Sequence, residues 1–267
     1  MTTVFSLDIG PNVTTLMNTL IPPGSDIVYA NEHLQGDPRC AALFDNAWQA
    51  LNDEVVEFPP SGFLLGTGEA IKLYIQNSTQ TNTDFGSPGD PEIAALVNDT
   101  VPESYDACTL TFDFFCETNG FLRLDYSFAS DEYKEVIFSP YRVGYADAFA
   151  ILLNGENIAT VPEDESAGSA VSVYTVNHLV NEDYFVYNNP RQSLTPYPDF
   201  EPDGFTKKLK AEGEIVSGWN TMKIGIVDIK DTYVDSWVFI EEGSFACVPG
   251  PLVEDSPIPD GNTGGGE

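Results

Sequence analysis

Two neighbouring stretches of alternating sequence constrain the fold of this chain most. In TLTFDFF (residues 109–115) apolar and polar side chains alternate, and they alternate again in FLRLDYSF (residues 121–128). Such alternation places successive side chains on opposite faces of a β-strand. The connector between the two stretches, CETNG, is rich in turn-forming residues. The two stretches therefore predict an antiparallel β-hairpin.

Four further segments have the composition of strands. DAFAILLNG (147–155) has the apolar run of a buried strand and ends at Asn154-Gly155, a signal for a type I′ turn. SAVSVYTV (169–176), NTMKIGIVDI (220–229) and DSWVFIEEGSF (235–245) complete the set. Short turns, few helices and 12% aromatic residues together predict an all-β chain. We expect an antiparallel β-sandwich of the jelly-roll or lectin-like kind.

Helical signals occur only in the N-terminal part of the chain. GDPRCAALFDNAWQAL offers Asp37 as N-cap and Pro38 at the first helical position, and GDPEIAALVN repeats this start with Asp90 and Pro91. The spacing of apolar residues predicts short helices near residues 38–52 and 91–98. We expect one sandwich domain over residues 1–248. Residues 249–267, rich in Pro and Gly and without periodicity, predict a flexible linker or tail.

The charge of the chain excludes several classes of partner. The chain has 267 residues, with 42 acidic and 11 basic side chains, and a formal net charge of -31. Nucleic-acid binding requires a basic surface, so we expect no nucleic-acid partner. No segment approaches the roughly 20 apolar residues of a membrane span, so we expect no membrane insertion. Such acidity favours divalent cations as ligands.

The four cysteines predict disulfides. Cys108 and Cys116 bracket one predicted strand and would lie roughly 26 Å apart at ~3.3 Å per residue, too far to bond each other. Two pairings of the four cysteines remain open. We expect Cys247, after the last strand, to bond one end of residues 109–115, and Cys40 to bond the other. Disulfides favour an exported protein, although the N-terminus MTTVFSLDIG shows no signal peptide.

Three aspartates stand close together in IVDIKDTYVDSWVFI (226–240). Asp228, Asp231 and Asp235 lie between two apolar, strand-like runs, but their spacing is not that of an EF-hand loop. A chain this acidic places carboxylates in many loops by chance. At the rim of a sheet, however, three carboxylates repel one another unless a cation neutralises them. Carboxylate oxygens are the ligands that Ca²⁺ prefers, so the three aspartates predict a Ca²⁺ site.

Seven segments between about residue 60 and residue 245 form an ordered set of motifs. They are GFLLGTGEA (62–70), GSPGDPEIAAL (86–96), YSFASDEYKE (126–135), DAFAILLNGENIATVP (147–162), VYTVN (173–177), DGFTKKLKA (203–211) and IVDIKDTYVDSWVFIEEGSF (226–245). This ordered set resembles the signature blocks of the choice-of-anchor L domain. The chain departs from the family in its cysteines and in Lys134, where the family often has proline.

The resemblance implies a secreted or surface-displayed module with an adhesive or structural role. It also brings the acidic blocks Asp131-Glu132, Asp147 and Asp203 to strand ends that meet the same rim. Glu132 and Asp147 are accordingly the next predicted Ca²⁺ ligands after Asp228, Asp231 and Asp235. The cofactor prediction is Ca²⁺, and the protein is not predicted to be an enzyme.

The segment YFVYNNPRQSLTPYPDFEPDGF (184–205) combines tyrosine, asparagine and proline. Such a loop can bind a carbohydrate, with Tyr184, Tyr187, Asn188 and Tyr197 as the candidate residues, or it can pack its own aromatic rings over the sandwich. The second interpretation is the more common one for such loops.

Three functions follow from these observations. The first is an extracellular or cell-surface adhesion or matrix module, stabilised by Ca²⁺ and disulfides, whose partners are other surface or matrix components. The second is a lectin-like domain that binds glycans. The third is a self-associating fibre or surface-layer subunit, built by strand addition at an open sheet edge.

Overall fold

The computed structural model describes residues 6–47, 57–74, 81–97, 102–133, 144–162, 169–188, 197 and 200–250. Within these residues, the strands pair antiparallel in two sheets that pack face to face, as the sequence predicts. The helices are short, and none of those described is both long and apolar enough to cross a bilayer.

The larger sheet is organised around one long strand, β6 (Gly120–Ser130). One edge of β6 pairs first with residues 236–240 and then with residues 246–249, and the other edge pairs with residues 204–205 and 209–215. The order along the sheet is β1 (Ser6–Ile9), β3 (Ala41–Asp45), β4 (Ser61–Gly66), β13 (Ser236–Glu241), β6, β10 (Gly204–Thr206) and β9 (Phe185–Tyr187), with β11 (Leu209–Ile215) and β14 (Ala246–Pro249) also on β6.

Five of the described strands form the smaller sheet. Their order is β2 (Val28–Gln35), β5 (Ser104–Cys116), β12 (Gly218–Ile229), β7 (Ala148–Leu153) and β8 (Glu156–Asn157). Asn154 and Gly155 both have positive φ angles, which gives the tight β7–β8 turn that the sequence predicts. A bulge between Ile226 and Asp228 ends the regular register of β12 with β5.

The main core lies between the two sheets. The inward side chains of β5 (Leu110, Phe112 and Phe114) belong to the same buried cluster as those of β6 (Leu122, Leu124, Tyr126 and Phe128). The predicted alternation is therefore confirmed on both strands. A second cluster, rich in aromatic rings, covers the outer face of the larger sheet, where Phe58 and Phe239 lie 5.0 Å apart between ring centroids. A third, smaller cluster covers part of the smaller sheet's outer face.

One helix of the structure has no counterpart in the sequence prediction. The helix α1 (Val13–Leu20) begins at Asn12, whose side chain accepts a hydrogen bond from the Thr15 N–H at 2.9 Å. It buries Leu16, Met17 and Leu20 in the main core. The predicted helix near residues 91–98 is present but shorter, as α2 (Pro91–Ala94), capped by Asp90.

The predicted helix near residues 38–52 is wrong in its first half. Asp37 and Pro38 start only a single 3₁₀ turn (Pro38–Cys40), and the chain continues as β3. The apolar residues of β3 alternate between two cores, with Ala41 in the main core and Ala42 and Phe44 in the aromatic cluster. A strand buried on both faces is apolar throughout, which imitates the pattern of a buried helix. Residues 48–52 lie outside the described part of the chain.

The predicted strand at residues 169–176 is also wrong. Only Ala170 forms a bridge there, to Thr160. The Ser172 N–H donates to the Thr175 hydroxyl at 2.9 Å, and the Ser172 hydroxyl accepts from the Tyr174 N–H. These local hydrogen bonds replace those of a strand ladder. Of the predicted tail, residues 251–267 lie outside the described residues.

Both disulfides end on β5. Cys40 bonds Cys108, and Cys116 bonds Cys247. Cys108 and Cys116 stand eight residues apart on the same strand and do not bond each other, as predicted. Cys247 lies on β14 of the larger sheet, so its bond to Cys116 joins the two sheets covalently.

Candidate metal centre

Buried carboxyl groups collect where several strands begin or end at one rim of the sandwich. Asp131 and Glu132 follow β6, Asp147 precedes β7, Asp228 is near the end of β12 and Asp235 precedes β13. We call these five residues the acidic rim. Each is at most 4% exposed. Antiparallel pairing explains the gathering, because the end of one strand lies beside the start of its neighbour.

Three threonines hold the acidic rim from one side. The Thr83 N–H and hydroxyl donate to the two carboxylate oxygens of Asp235, at 2.9 and 2.8 Å. The Thr81 N–H donates to Asp131 at 2.8 Å. The Thr67 hydroxyl donates to Asp147 at 3.3 Å. These threonines lie in segments that the sequence analysis did not assign to the site, although Thr67 stands within the GFLLGTGEA motif.

Asp228 is the least satisfied member of the rim. Its carboxylate interacts with the hydroxyl of Thr67, the residue that also bonds Asp147. Its Oδ2 atom is buried and has no hydrogen-bond partner among the described residues. A buried, unpartnered carboxylate oxygen is costly and therefore points to a missing ligand.

Burial makes four carboxyl groups of the acidic rim weaker acids than usual, namely those of Asp131, Asp147, Asp228 and Asp235. Burial, followed by the charges of neighbouring carboxylates, raises the pKa of Asp147 and of Asp228 well above the usual range. Burial raises the pKa of Asp131 to about 7, against the opposing effect of its bonds from Thr81. Burial likewise raises the pKa of Asp235 to about 6, although Thr83 and the charge of Lys72 lower it.

The other predicted ligands occupy different positions. The Glu132 carboxylate is buried and accepts a hydrogen bond from the Asp147 N–H at 2.8 Å. Asp231 is half-buried. Its side chain accepts a hydrogen bond from the Tyr233 N–H at 3.1 Å, and this bond stabilises the turn that contains both residues. Its charge acts on Asp147, so it lies near the rim but not inside it.

The rim is tightly packed as it stands. At Gly68 an added Cβ would lie 1.9 Å from the Asp235 Oδ2 atom, so glycine is required for this close approach. Across the described ranges, no group of three or more histidine, cysteine or acidic side chains is arranged to hold a metal ion. A cation would therefore have to draw the carboxylates closer together.

The loop at residues 184–205, predicted to bind a carbohydrate or to pack its own rings, has both buried and partly exposed residues among its four candidates. Asn188 is fully buried, and its side-chain amide donates to the Pro202 carbonyl at 2.9 Å. Tyr197 is 5% exposed and packs its ring 5.6 Å from that of Phe205. Tyr184 and Tyr187 are half-buried and keep part of their surface in solvent. The described part of this loop thus packs several of its own polar and aromatic groups, and a carbohydrate contact stays a prediction.

Comparison with protein families matches residues 14–246 to the choice-of-anchor L domain. The chain belongs to this family. No curated protein matches it. Among solved structures, it is similar to a family 35 carbohydrate-binding module from an environmental isolate, at 10% identity and a TM-score of 0.23, over 66% of this chain and 97% of the other. That TM-score is too low for any inference about fold or ligand.

Membership of the choice-of-anchor L family and the two disulfides indicate a surface-associated or extracellular module. The same membership favours a non-catalytic domain. In this choice-of-anchor L chain the matched range includes all five residues of the acidic rim, together with Asp231.

Proposed function

We propose that this choice-of-anchor L domain is a non-catalytic adhesion or matrix structural module, stabilised by Ca²⁺ at the acidic rim and by its two disulfides. The observation that carries the proposal is the unpartnered Oδ2 atom of Asp228, buried beside Asp147 and near Asp235. Ca²⁺ takes six to eight oxygen ligands, mostly carboxylates and carbonyls. Asp147, Asp228 and Asp235 would hold the ion, with Glu132 and Asp231 next to them.

A cation at this position would act as a clamp between the sheets. Asp228 lies in β12 and Asp147 directly precedes β7, both strands of the smaller sheet, whereas Asp235 and Glu132 flank strands of the larger one. Along β5, Cys116 is bonded to β14 of the larger sheet and Cys108 to Cys40, directly before β3, while Tyr105 near the Cys108 end pairs with Asp228. The ion would add a further link between the sheets beyond Cys108, which suits a module whose role is rigidity.

Calorimetric titration with Ca²⁺ after chelator treatment tests the cation. We expect heat of binding and a higher melting temperature. At a free Ca²⁺ concentration of about 100 times Kd, binding contributes about 2.7 kcal/mol. For a chain of this size that corresponds to a rise of roughly 5–10 °C.

Two aspartate variants make the test specific. Asp228→Asn removes the negative charge of the unpartnered carboxylate and should abolish the Ca²⁺-dependent rise. Asp45→Asn is the matched control, because Asp45 is exposed and lies at the far end of β3. No heat and no shift in the wild-type protein would remove Ca²⁺ from the proposal, and so would an Asp228→Asn variant that keeps the full shift.

The structural role has its own tests. A screen of chromogenic glycosides and esters should show no turnover, and turnover would overturn the non-catalytic assignment. Size-exclusion chromatography with and without Ca²⁺ tests self-association, one of the two alternatives. The other is a lectin-like domain, for which Tyr184 and Tyr187, partly exposed in the described part of the loop, are the positions to substitute if a glycan is found to bind there.

A further inference from the structure

Three large apolar side chains form an exposed row on the outer face of the smaller sheet. Val28, Phe115 and Trp219 are paired directly across β2, β5 and β12. They are 58%, 36% and 54% exposed. The rings of Phe115 and Trp219 meet edge to face, with centroids 5.7 Å apart. Because these exposed apolar side chains are neighbours across the strands, they form one contiguous patch. A contiguous exposed apolar patch is typical of a binding surface, whereas single scattered apolar residues are not.

A groove with polar side chains along it continues from this row on the same strands. Its volume is about 250 Å³, and its lining includes Asn31, Asp113 and Thr221. Asp113 and Thr221 are paired and stand two residues from Phe115 and Trp219, so they share their face of the sheet. The Asn31 amide donates to the Asp113 carboxylate at 2.6 Å, which fixes both side chains.

The far end of the groove carries a charged pair. The Lys223 ammonium donates to Glu92 at 2.8 Å, and both side chains line the groove. From Trp219 to Lys223 the strand advances four residues, or roughly 13 Å at ~3.3 Å per residue. The surface is therefore an apolar platform followed by a strip of hydrogen-bond donors and acceptors.

We propose that this surface, the row together with its groove, binds a neutral polysaccharide. A sugar ring presents apolar C–H groups on its face and hydroxyl groups around its edge. The face matches the aromatic pair, and the hydroxyls match the amide, hydroxyl and carboxylate groups of Asn31, Thr221 and Asp113. An extended chain of sugars can occupy both parts at once.

Charge and size argue against other occupants. A chain of net charge -31 with acidic side chains in the groove repels nucleic acids and anionic polysaccharides. The row and the groove lining together comprise 13 of the described residues, fewer than the roughly 20–30 residues per partner in a standard protein interface. Trp219 and Asp228 are nine residues apart on β12, about 30 Å at ~3.3 Å per residue. The surface is thus separate from the acidic rim, and the proposal does not depend on Ca²⁺.

Affinity electrophoresis of the full chain in gels containing soluble neutral polysaccharides tests the proposal. The panel is a β-1,4-glucan, a β-1,3-glucan, a xylan and a galactomannan, with alginate as an anionic comparison. We expect retardation by at least one neutral polymer and none by alginate. Trp219→Ala should weaken binding about tenfold or more, a typical effect of removing an aromatic anchor, and Trp219→Tyr should keep most of it.

Tyr233→Ala is the matched control, because Tyr233 is 57% exposed and lies in the loop after β12, near the acidic rim. This variant should bind as the wild type does. Melting curves establish that each variant is folded. Bound polysaccharide should also protect tryptophan fluorescence from acrylamide in the wild type but not in Trp219→Ala.

Three results would overturn the proposal. They are no retardation by any neutral polymer, retardation that survives in folded Trp219→Ala, and equal losses in the Trp219 and Tyr233 variants. If the protein instead self-associates in sedimentation experiments and Trp219→Ala abolishes this, the surface is an interface between copies of the chain and the proposal is wrong.

Discussion

Removing the disulfide between Cys116 and Cys247 should cost more stability than almost any other local change. The double substitution Cys116→Ala/Cys247→Ala opens a loop with a sequence separation of 131 residues. The entropy that this crosslink removes from the unfolded chain corresponds to about 5 kcal/mol at 25 °C. Cys116 is also buried in the main core, so the variant loses packing as well. Domains have a total unfolding free energy of only about 5–15 kcal/mol.

Urea unfolding followed by circular dichroism measures the loss. The comparison variant is Cys40→Ala/Cys108→Ala, which opens a loop with a separation of 68 residues. Its entropic cost is about 4 kcal/mol, slightly less than for the longer loop. We expect both variants to have lower midpoints and somewhat larger m-values, because their unfolded chains expose more surface. A loss below about 1 kcal/mol for the longer loop would refute this reasoning.

Three further predictions concern single positions. Burial raises the pKa of Glu201 from 4.5 to about 8, so the folded protein keeps a proton that the unfolded chain releases. Stability should therefore fall as pH rises from about 5 to about 9. Melting temperatures measured in chelator at a series of pH values should fall less steeply with pH for Glu201→Gln than for the wild type. The same pH dependence in both proteins would contradict the raised pKa of Glu201. Gly68→Ala should displace the Asp235 carboxylate, lower stability by about 1–3 kcal/mol and weaken any Ca²⁺-dependent rise in melting temperature. Phe239→Ala should cost about 3–5 kcal/mol in urea unfolding, whereas Leu179→Ala, at a side chain 70% exposed, should cost below about 0.5 kcal/mol.

β5 and β6 were predicted from their alternation and β7 from its apolar run before the Asn154-Gly155 turn. In contrast β3, which like β7 is buried on both faces, was mistaken for a helix. The alternation in β5 and β6 survives into the structure because outward residues such as Asp113, Arg123 and Asp125 keep part of their surface in solvent. In β3 both faces are buried, so its sequence has no alternation to read and imitates a helix. The helix α1 was missed for a different reason, since eight residues give only two turns of periodicity.

Asp228 and Asp235 of the acidic rim were found in the sequence as part of a run of aspartates between two strands, and the family resemblance added Asp131, Glu132 and Asp147. The threonines that bond the rim were not found. Thr67, Thr81 and Thr83 approach these aspartates only through the fold, over sequence separations of 50 to 152 residues. The exposed row of Val28, Phe115 and Trp219 is also invisible in the sequence, because its three members come from strands that are distant along the chain.

The two disulfides also determine how far this protein can lengthen under tension. They close separate loops, with sequence separations of 68 and 131 residues, that do not overlap along the chain. When a chain of 267 residues is pulled from both ends, the disulfides carry the force past the two loops. About 200 residues inside these loops would therefore not be stretched even after complete unfolding. The oxidised chain would extend to roughly 240 Å and the reduced chain to roughly 930 Å, at ~3.5 Å per residue. The unfolded chain is thus much shorter when its disulfides are formed than when they are reduced. Single-molecule force spectroscopy with and without reductant measures this difference in extension directly.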